Sequence, residues 1–252
     1  MSFSVVILAA GKGTRMKSEK PKVLHTVGNA SMLHHVMEVA KRAGAEETVI
    51  VAGHQADLIS ESAKLKSPDA RIVIQEKQLG TAHAVKQAER LLGKCGKDIL
   101  ILYGDVPFIK SETISRLIKA RKTCDIAVLG FDTKHPGMYG RLISNGENII
   151  GIVEAKDATQ EQLNISLCNS GVILGRADLI FDLIAKIGRD NASKQFYLTD
   201  CIELAAKAGF KSSLVLCDEK ETIGINSLEE LARAEELFQK AKRKDFMEKG
   251  IQ

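Results

Sequence analysis

The chain has 252 residues, of which 44% are hydrophobic and 27% are charged. This composition excludes a disordered chain and supplies enough apolar residues for one large α/β domain or two small ones. The 36 basic and 32 acidic residues leave a net charge of +4, and the basic residues are scattered along the chain. With no tryptophan to stack on bases, this small charge does not indicate a nucleic-acid-binding protein.

The N-terminal sequence and the cysteines indicate in which cellular compartment we expect the protein. The longest apolar run near the start covers residues 5–10, whereas a membrane span needs about 20 apolar residues. No positively charged segment precedes this run, so we expect neither a signal peptide nor a membrane anchor. The five cysteines are widely spaced without a CxxC pair, which favours reduced, mostly buried thiols in a cytoplasmic protein over a zinc site or disulfides.

In the first half of the chain, apolar runs alternate with segments of helical periodicity. Apolar runs predict strands at residues 4–9, 47–52, 71–75 and 98–103. Helical spacing predicts helices at residues 31–43, 58–64 and 81–92. Apolar strands separated by helices are typical of a parallel sheet that is covered on both faces, with right-handed crossovers.

After residue 105 the pattern is less regular. The predicted helices are residues 112–122, 177–186 and 198–208, and the predicted strands are residues 126–131 and 169–174. Residues 141–144 and 148–153 flank Asn145-Gly146, which predicts a hairpin with a type I′ turn. No linker separates the halves, so we expect one domain whose second half forms a smaller mixed lobe laid over the first sheet.

A final helix is predicted from Ser227 to about residue 249. Ser227 and Glu230 fit a capping box, and Leu228, Leu231 and Phe238 form an apolar stripe. We expect its charged face to be solvated.

The glycine-rich segment at residues 8–16, followed by Pro21-Lys22, is the strongest functional signal. It lies after the first predicted strand, at the carboxyl edge where open α/β sheets bind ligands. Its glycines let backbone N–H groups approach phosphate oxygens, whose charge Arg15 and Lys22 can neutralise. Met16 stands where a dinucleotide fingerprint that starts at Gly11 needs glycine, and no segment has the Walker A spacing.

Eight segments together resemble the sugar-1-phosphate nucleotidyltransferases, and within them the UDP-N-acetylglucosamine pyrophosphorylases. In order, they are residues 8–24, 75–84, 103–107, 139–141, 152–154, 169–171, 197–200 and 224–226. Their order and spacing match from about residue 4 to residue 226. Two segments depart from the family pattern: Asn169-Ser170-Gly171 replaces Asn-Thr-Gly, and residues 194–197 replace a Gly-Glu-aromatic run.

The resemblance implies a fold and a reaction. The fold is the α/β nucleotide-diphospho-sugar transferase fold, with a Rossmann-like, mostly parallel central sheet, helices on both faces and a smaller mixed sugar-binding lobe. The reaction is Mg²⁺-dependent transfer of UMP from UTP to N-acetylglucosamine-1-phosphate, which gives UDP-N-acetylglucosamine, a precursor for peptidoglycan and lipopolysaccharide, and pyrophosphate. Its small-molecule partners would be these two substrates, without nucleic acid or membrane.

The resemblance also implies a domain division. Residues 1–226 would form the nucleotidyltransferase domain and residues 227–252 a C-terminal helical arm. Bifunctional members continue into a β-helix acetyltransferase domain built from hexapeptide repeats, and no such repeats occur in this chain. We therefore expect the 252-residue chain to lack acetyl transfer and to be a monomer or weak dimer.

The resemblance assigns roles to individual residues. Arg15 and Lys22 would be the catalytic cations, and Asp105 with Asn226 would hold Mg²⁺. The expected nucleotide-binding residues are Leu8, Ala9, Ala10, Gly11, Gly13, Lys22, Gln75, Gln78, Gly80 and Thr81. The expected sugar-binding residues are Tyr103, Gly104, Asp105, Gly140, Glu154, Asn169 and Asn226.

Chemistry supports several of these roles. A carboxylate at a strand end suits Mg²⁺, and the in-plane amide of Gln75 suits a base edge. His83, in the nucleotide segment, fits either a ligand contact or helix packing.

Two other functions stay open. One is a pyrophosphorylase for another sugar phosphate or nucleotide, and the other is a non-catalytic sugar-nucleotide sensor. A sensor need not keep Arg15, Lys22, Asp105 and Asn226 together, and this chain has all four.

Overall fold

The computed structural model describes residues 2–94 and 96–250. In them, the strands are β1 (Phe3–Ala9), β2 (Thr26–Val27), β3 (Ala30–Ser31), β4 (Glu47–Ala52), β5 (Arg71–Ile74), β6 (Asp98–Tyr103), β7 (Ile126–Asp132), β8 (Arg141–Asn145), β9 (Asn148–Val153), β10 (Leu167–Arg176) and β11 (Ser212–Leu216). The α-helices are α1 (Met32–Arg42), α2 (Ala56–Lys66), α3 (Thr81–Lys86), α4 (Glu89–Leu92), α5 (Ser111–Ala120), α6 (Gln160–Leu163), α7 (Ala177–Ile184), α8 (Asp200–Lys207) and α9 (Leu228–Glu248). Short 3₁₀ turns occur at Thr14–Met16, Lys22–Leu24, Arg121–Thr123 and Glu219–Thr222.

The central sheet of the described residues has nine strands in the order β5-β4-β1-β6-β10-β7-β11-β9-β8. The first four strands are parallel, as the sequence pattern predicts. Strand β10 runs antiparallel to both β6 and β7, while β11 is parallel to β7. The predicted fold class, a largely parallel sheet with a smaller mixed part, is confirmed.

Strand β1 explains why the sheet strands are apolar almost throughout. All seven of its residues are buried. Val6 and Leu8 join the core on one face of the sheet, where α7 and α8 pack. Val5 and Ile7 join the core on the other face, where α1 and α5 pack. Because alternate side chains enter different cores, six of the seven residues are apolar, and Ser4 is the one buried polar exception.

The second half extends this sheet and does not lie over it. Strands β7, β11, β9 and β8 continue the same hydrogen-bonded order, so the expectation of a lobe laid over the first sheet is wrong. The β8–β9 hairpin forms as predicted, but Asn145 pairs with Asn148 and only Gly146 has a positive φ, of 60°. A type I′ turn needs positive φ at both central residues, so the predicted turn type is wrong.

The structure differs from the predicted helices in two places, residues 81–92 and the start of α9. The helix predicted at residues 81–92 is interrupted between α3 and α4. At the start of α9, the Ser227 hydroxyl accepts from the Glu230 amide at 3.1 Å, which is one half of the expected capping box. The Glu230 carboxylate does not return to the Ser227 amide and instead accepts from Asn226 N at 2.6 Å.

Helix α9 attaches to the body through its first half. Ala234 is buried in a small cluster with Val27, Met32 and Ile225. Glu235 accepts from the Gly28 amide at 2.7 Å. The charged remainder is mostly exposed, as predicted.

The structure also bears on membrane and redox expectations. No helix within residues 2–94 and 96–250 combines the length and apolarity that crossing a membrane requires. Cys124, Cys168, Cys201 and Cys217 are free, and the first three are buried, as predicted. Cys95 lies outside the described residues.

Candidate active site

A cavity of about 280 Å³ lies at the carboxyl edge of β1, β5 and β6, where the sequence predicts ligand binding. Among the predicted residues it is lined by Leu8, Ala9, Ala10, Gly11, Lys22, Gln75, Gln78, Gly80, Thr81, Tyr103 and Asp105. Val23, Ala84 and Gln195 also line it, although no motif in the sequence predicts a role for them. The loop after β1 and the segment after β5 therefore converge on one site.

The glycine-rich loop closes against Lys22. Gly13 has a φ of 63°, and a Cβ at this position would lie 2.7 Å from Lys22 Cβ. Met16 is fully buried and anchors the loop. Arg15 is exposed, does not line the cavity, and has no hydrogen bond or ion pair within the described residues. The structure thus leaves its guanidinium open to a ligand.

Lys22, Asp105 and Asn226 form one cluster from three distant parts of the chain. Lys22 Nζ donates to Asp105 Oδ2 in a salt bridge, and it donates to Asn226 Oδ1 at 3.0 Å. The Lys22 and Asp105 side chains are only 14% and 16% exposed. Ile225 N donates to Asp105 O at 3.0 Å, which fixes the segment that carries Asn226 beside the end of β6.

The donor set of this cluster fits Mg²⁺. A carboxylate oxygen and an amide oxygen, both hard ligands, already converge on one cation, the Lys22 ammonium. Within the described residues, no group of three or more His, Cys, Asp or Glu side chains could hold a metal. Asp105 and Asn226 therefore suit a cation that takes its remaining ligands from phosphate and water.

Gln75 is held rigidly at the other end of the cavity. It is 3% exposed, and its Nε2 donates to Gly80 O at 3.1 Å and to His83 Nδ1 at 2.9 Å. Burial, followed by the charge of Lys86, lowers the pKa of His83 and so favours the neutral ring that can accept this bond. Of the two interpretations left open for His83, the geometry favours packing, with the added effect of orienting Gln75.

Only glycine fits at position 80. Its φ is 124°, and a Cβ there would overlap Phe196 O and lie 2.7 Å from Phe196 N. Phe196 N donates to Leu79 O at 2.8 Å, and Ala82 N donates to Phe196 O at 3.0 Å. The segment that departs from the family pattern at residues 194–197 is therefore clamped to the Gly80 turn, and Gln195 reaches the cavity.

The predicted sugar-side residues lie beyond Tyr103. Asn169 N donates to Gly140 O at 2.8 Å, and Asn169 Oδ1 accepts from Gly171 N at 3.0 Å. A Cβ at Gly171 would lie 2.6 Å from the Tyr103 ring. Burial raises the pKa of Tyr103, whose side chain is hydrogen-bonded to Thr81, so its hydroxyl stays protonated.

Glu154 has a partner that sequence reasoning missed. Thr199 Oγ1 donates to Glu154 Oε1 at 3.0 Å. Burial raises the pKa of Glu154, and the Thr199 hydrogen bond opposes this rise. Burial, followed by the charges of Glu203 and Glu154, raises the pKa of the neighbouring Asp200 to about 6. The only sequence signal for Thr199 and Asp200 is the family match at residues 197–200, which predicts no role for either residue.

Gly104 completes the predicted set. It is buried, and its amide donates to Leu8 O at 2.9 Å, which joins β6 to the end of β1. Gly140, Glu154, Asn169 and Asn226 do not line the 280 Å³ cavity, although each is hydrogen-bonded to its surroundings as described.

The fold is that of a known class of nucleotidyltransferases. The MobA-like NTP transferase domain matches residues 5–168, and the chain belongs to this family. Several curated relatives are called "Bifunctional protein GlmU". The protein from Ruegeria sp. (strain TM1040) is 46% identical over 251 residues, which are 100% of this chain and 56% of the relative. The protein from Paracoccus denitrificans (strain Pd 1222) is 43% identical over 248 residues, which are 98% of this chain and 55% of the relative.

The chain thus spans about half the length of the curated relatives it matches. A UDP-glucose pyrophosphorylase complexed with UDP-glucose superposes with a TM-score of 0.76 at 19% identity, covering 96% of this chain and 100% of the other. An inositol-1-phosphate CTP transferase from T. maritima gives 0.75 at 17% identity, covering 95% and 96%. These structures show the shared fold. Together the comparisons confirm the resemblance, the fold and the expectation of a nucleotidyltransferase.

Proposed function

We propose that this chain transfers UMP from UTP to N-acetylglucosamine-1-phosphate and releases pyrophosphate, with Mg²⁺ as the metal. The observation that carries the proposal is the single cavity that joins a fixed amide, Gln75, to the cluster of Lys22 and Asp105. One end has the groups to read a base edge, and the other has a cation and hard oxygen ligands for phosphates. The family membership and the eight matching segments support the same reaction.

At the nucleotide end, Gln75 and Gln78 are the proposed uracil-binding side chains. Gln78 Nε2 donates to the backbone carbonyl of Gln75 at 3.2 Å, which holds the Gln78 side chain against the segment that carries Gln75. Backbone groups of Gly80 and of residues 8–11 would complete the nucleotide contacts, and Thr81 lines the same wall.

At the phosphate end, an oxygen of the sugar phosphate attacks the α-phosphorus of UTP, and pyrophosphate leaves. Arg15 would contact the β- and γ-phosphates, because a planar guanidinium binds phosphate through two parallel hydrogen bonds. Lys22 would contact phosphate oxygens from inside the cavity. Both cations stabilise the negative charge that develops on the leaving pyrophosphate.

Asp105 and Asn226 would hold Mg²⁺, which supplies additional neutralisation of phosphate charge when bound. Their oxygens already face one cation, the Lys22 ammonium, which supports a cation site at this place.

The sugar would lie between Tyr103 and the Glu154–Thr199 pair. Glu154 offers an acceptor for sugar hydroxyl groups, and Asn169 with Gly140 offers amide groups for the acetamido substituent. We also propose a cytoplasmic location, which the free thiols support, and a division at residue 226 between the catalytic domain and the helical arm. A monomeric or weakly dimeric state stays a prediction.

One experiment tests the proposal. Pyrophosphate release is measured with UTP, CTP and dTTP, each paired with N-acetylglucosamine-1-phosphate, glucose-1-phosphate and galactose-1-phosphate. We expect the highest kcat/KM with UTP and the N-acetylated sugar, and no release without Mg²⁺. Faster turnover with glucose-1-phosphate contradicts the sugar assignment. Binding of UDP-N-acetylglucosamine without any pyrophosphate release identifies a sensor.

A further inference from the structure

The first turn of α9 holds the backbone of Asn226 through a side chain that the proposed mechanism does not use. Glu230 Oε2 accepts from Asn226 N at 2.6 Å. In the expected capping box this carboxylate would bind the amide of Ser227, the N-cap residue, and here it binds one residue earlier. We infer that Glu230 is a positioning residue that holds Asn226 for the Mg²⁺ and phosphate end of the site, an inference that rests on the proposed function.

The main chain around Asn226 is fixed at three consecutive residues. On one side, Ile225 N donates to Asp105 O at 3.0 Å. On the other side, Leu231 N donates to Ser227 O at 2.9 Å, which holds the Ser227 main chain independently of its hydroxyl, the group that accepts from Glu230 N at 3.1 Å. The Glu230 carboxylate fixes the residue between them, and a hydrogen bond to an ionised acceptor is stronger than one between neutral groups.

This arrangement determines where the Asn226 amide oxygen points. Asn226 Oδ1 lies 3.0 Å from Lys22 Nζ, which also binds Asp105. The Asn226 side chain extends from the backbone that Glu230 holds, so a shift of this backbone would move its oxygen away from Lys22. Outer-shell partners of this kind typically change metal affinity by about 10- to 100-fold when they are removed.

A purely structural role for Glu230 makes a different prediction. As an acidic residue in the first turn of α9, Glu230 also stabilises the helix dipole. Glu229 lies in the same turn with the same charge, is exposed, and forms no hydrogen bond or ion pair within the described residues. Glu229 is therefore the matched control for the dipole, and Ser227→Ala is the control for the cap.

The test uses the 252-residue chain and Mn²⁺ as the probe. Mn²⁺ binding in the presence of UTP, without sugar phosphate, is measured by water-proton relaxation for the wild type, E230A, E230M, E230Q, E229Q and S227A. We expect about tenfold weaker Mn²⁺ binding in E230A and E230M. E230Q keeps an acceptor oxygen and should stay within about twofold of the wild type. E229Q should not change, and S227A should lower the urea midpoint without weakening Mn²⁺ binding.

Met at position 230 keeps high helix propensity, so E230M decides the matter if E230A does not fold. In turnover assays, the Mg²⁺ concentration for half-maximal rate should rise in E230M while kcat at saturating Mg²⁺ recovers. Unchanged Mn²⁺ binding in E230M overturns the inference, as does an equal loss in E229Q or S227A. If the wild type binds Mn²⁺ with UTP but releases no pyrophosphate, the proposed function fails, and the E230M comparison still decides the role of Glu230. No Mn²⁺ binding by the wild type overturns both.

Discussion

Replacing Gly80 with alanine should damage both stability and nucleotide binding. The Gly80 backbone has a φ of 124° and a ψ of 175°, a region that is essentially restricted to glycine, and occupying it with another residue costs about 1–3 kcal/mol. The new Cβ would also overlap the Phe196 backbone, so the segment must move and lose the two hydrogen bonds that join it to Leu79 and Ala82. At about 1 kcal/mol each, these bonds bring the expected loss to about 3–5 kcal/mol.

Urea unfolding and thermal unfolding measure this loss directly. In a chain of this size, a destabilisation of about 4 kcal/mol lowers Tm by about 10 °C. Gly209→Ala is the control, because Gly209 has a φ of 84° but no heavy atom within 4 Å of the point where an alanine Cβ would lie. It should lose only about 1–2 kcal/mol. The KM for UTP should rise in Gly80→Ala alone, since Gly80 O holds the Gln75 amide. Equal destabilisation by the two substitutions would refute the argument from the Phe196 contact.

Three further predictions concern charged groups. Asp105→Asn should remove most of the activity while circular dichroism stays near the wild type, because Asp105 lies beside the cavity and asparagine keeps an oxygen that can accept from Lys22 Nζ; full activity with the same Mg²⁺ dependence contradicts the metal assignment. Arg15→Ala should lower kcat by about 10²–10³, with partial recovery in Arg15→Lys, and a raised UTP KM at unchanged kcat would leave Arg15 only a binding role. Asp200 has a folded pKa raised to about 6, whereas an unfolded aspartate titrates near pH 4, so its contribution to stability falls as pH rises from about 4 to 6. Asp200→Asn should therefore raise the urea midpoint at pH 7.5 relative to the wild type and change it little at pH 4; an equal gain at both pH values contradicts the assignment.

The sequence predicts those strands whose two faces are both buried. Strand β1 is recognisable because all seven of its residues are buried and all but Ser4 are apolar. Strand β11 is not predicted, because it begins with two serines, and it becomes a strand through its pairing with β7. Ser212 is fully buried there, which no local pattern indicates. Pairing between distant segments thus decides what local periodicity cannot.

In the candidate site, too, some residues are predictable from the sequence pattern and others are not. The glycine-rich loop and Gln75 lie close to each other because both follow strands of the parallel half, which the sequence pattern predicts. Taken alone, Asn226 has the sequence pattern of a turn residue, and only the family resemblance predicts that it binds a metal. The Thr199–Glu154 and Glu230–Asn226 hydrogen bonds depend on side-chain directions that spacing does not specify.

The contacts of α9 at Gly28 divide the helix into an attached first half and an exposed distal half. The helix has 21 residues, and at 1.5 Å per residue it is about 30 Å long. Phe238 packs against Gly28 and the Gly28 amide binds Glu235, so this clamp lies between Asn226 and the exposed distal part of the helix. About 15 Å of helix extends past the clamp to Glu248. The contacts at Gly28 therefore separate the segment that carries Asn226 from the exposed distal half of the helix, so a change confined to the distal half should leave the Asn226–Lys22 contact in place.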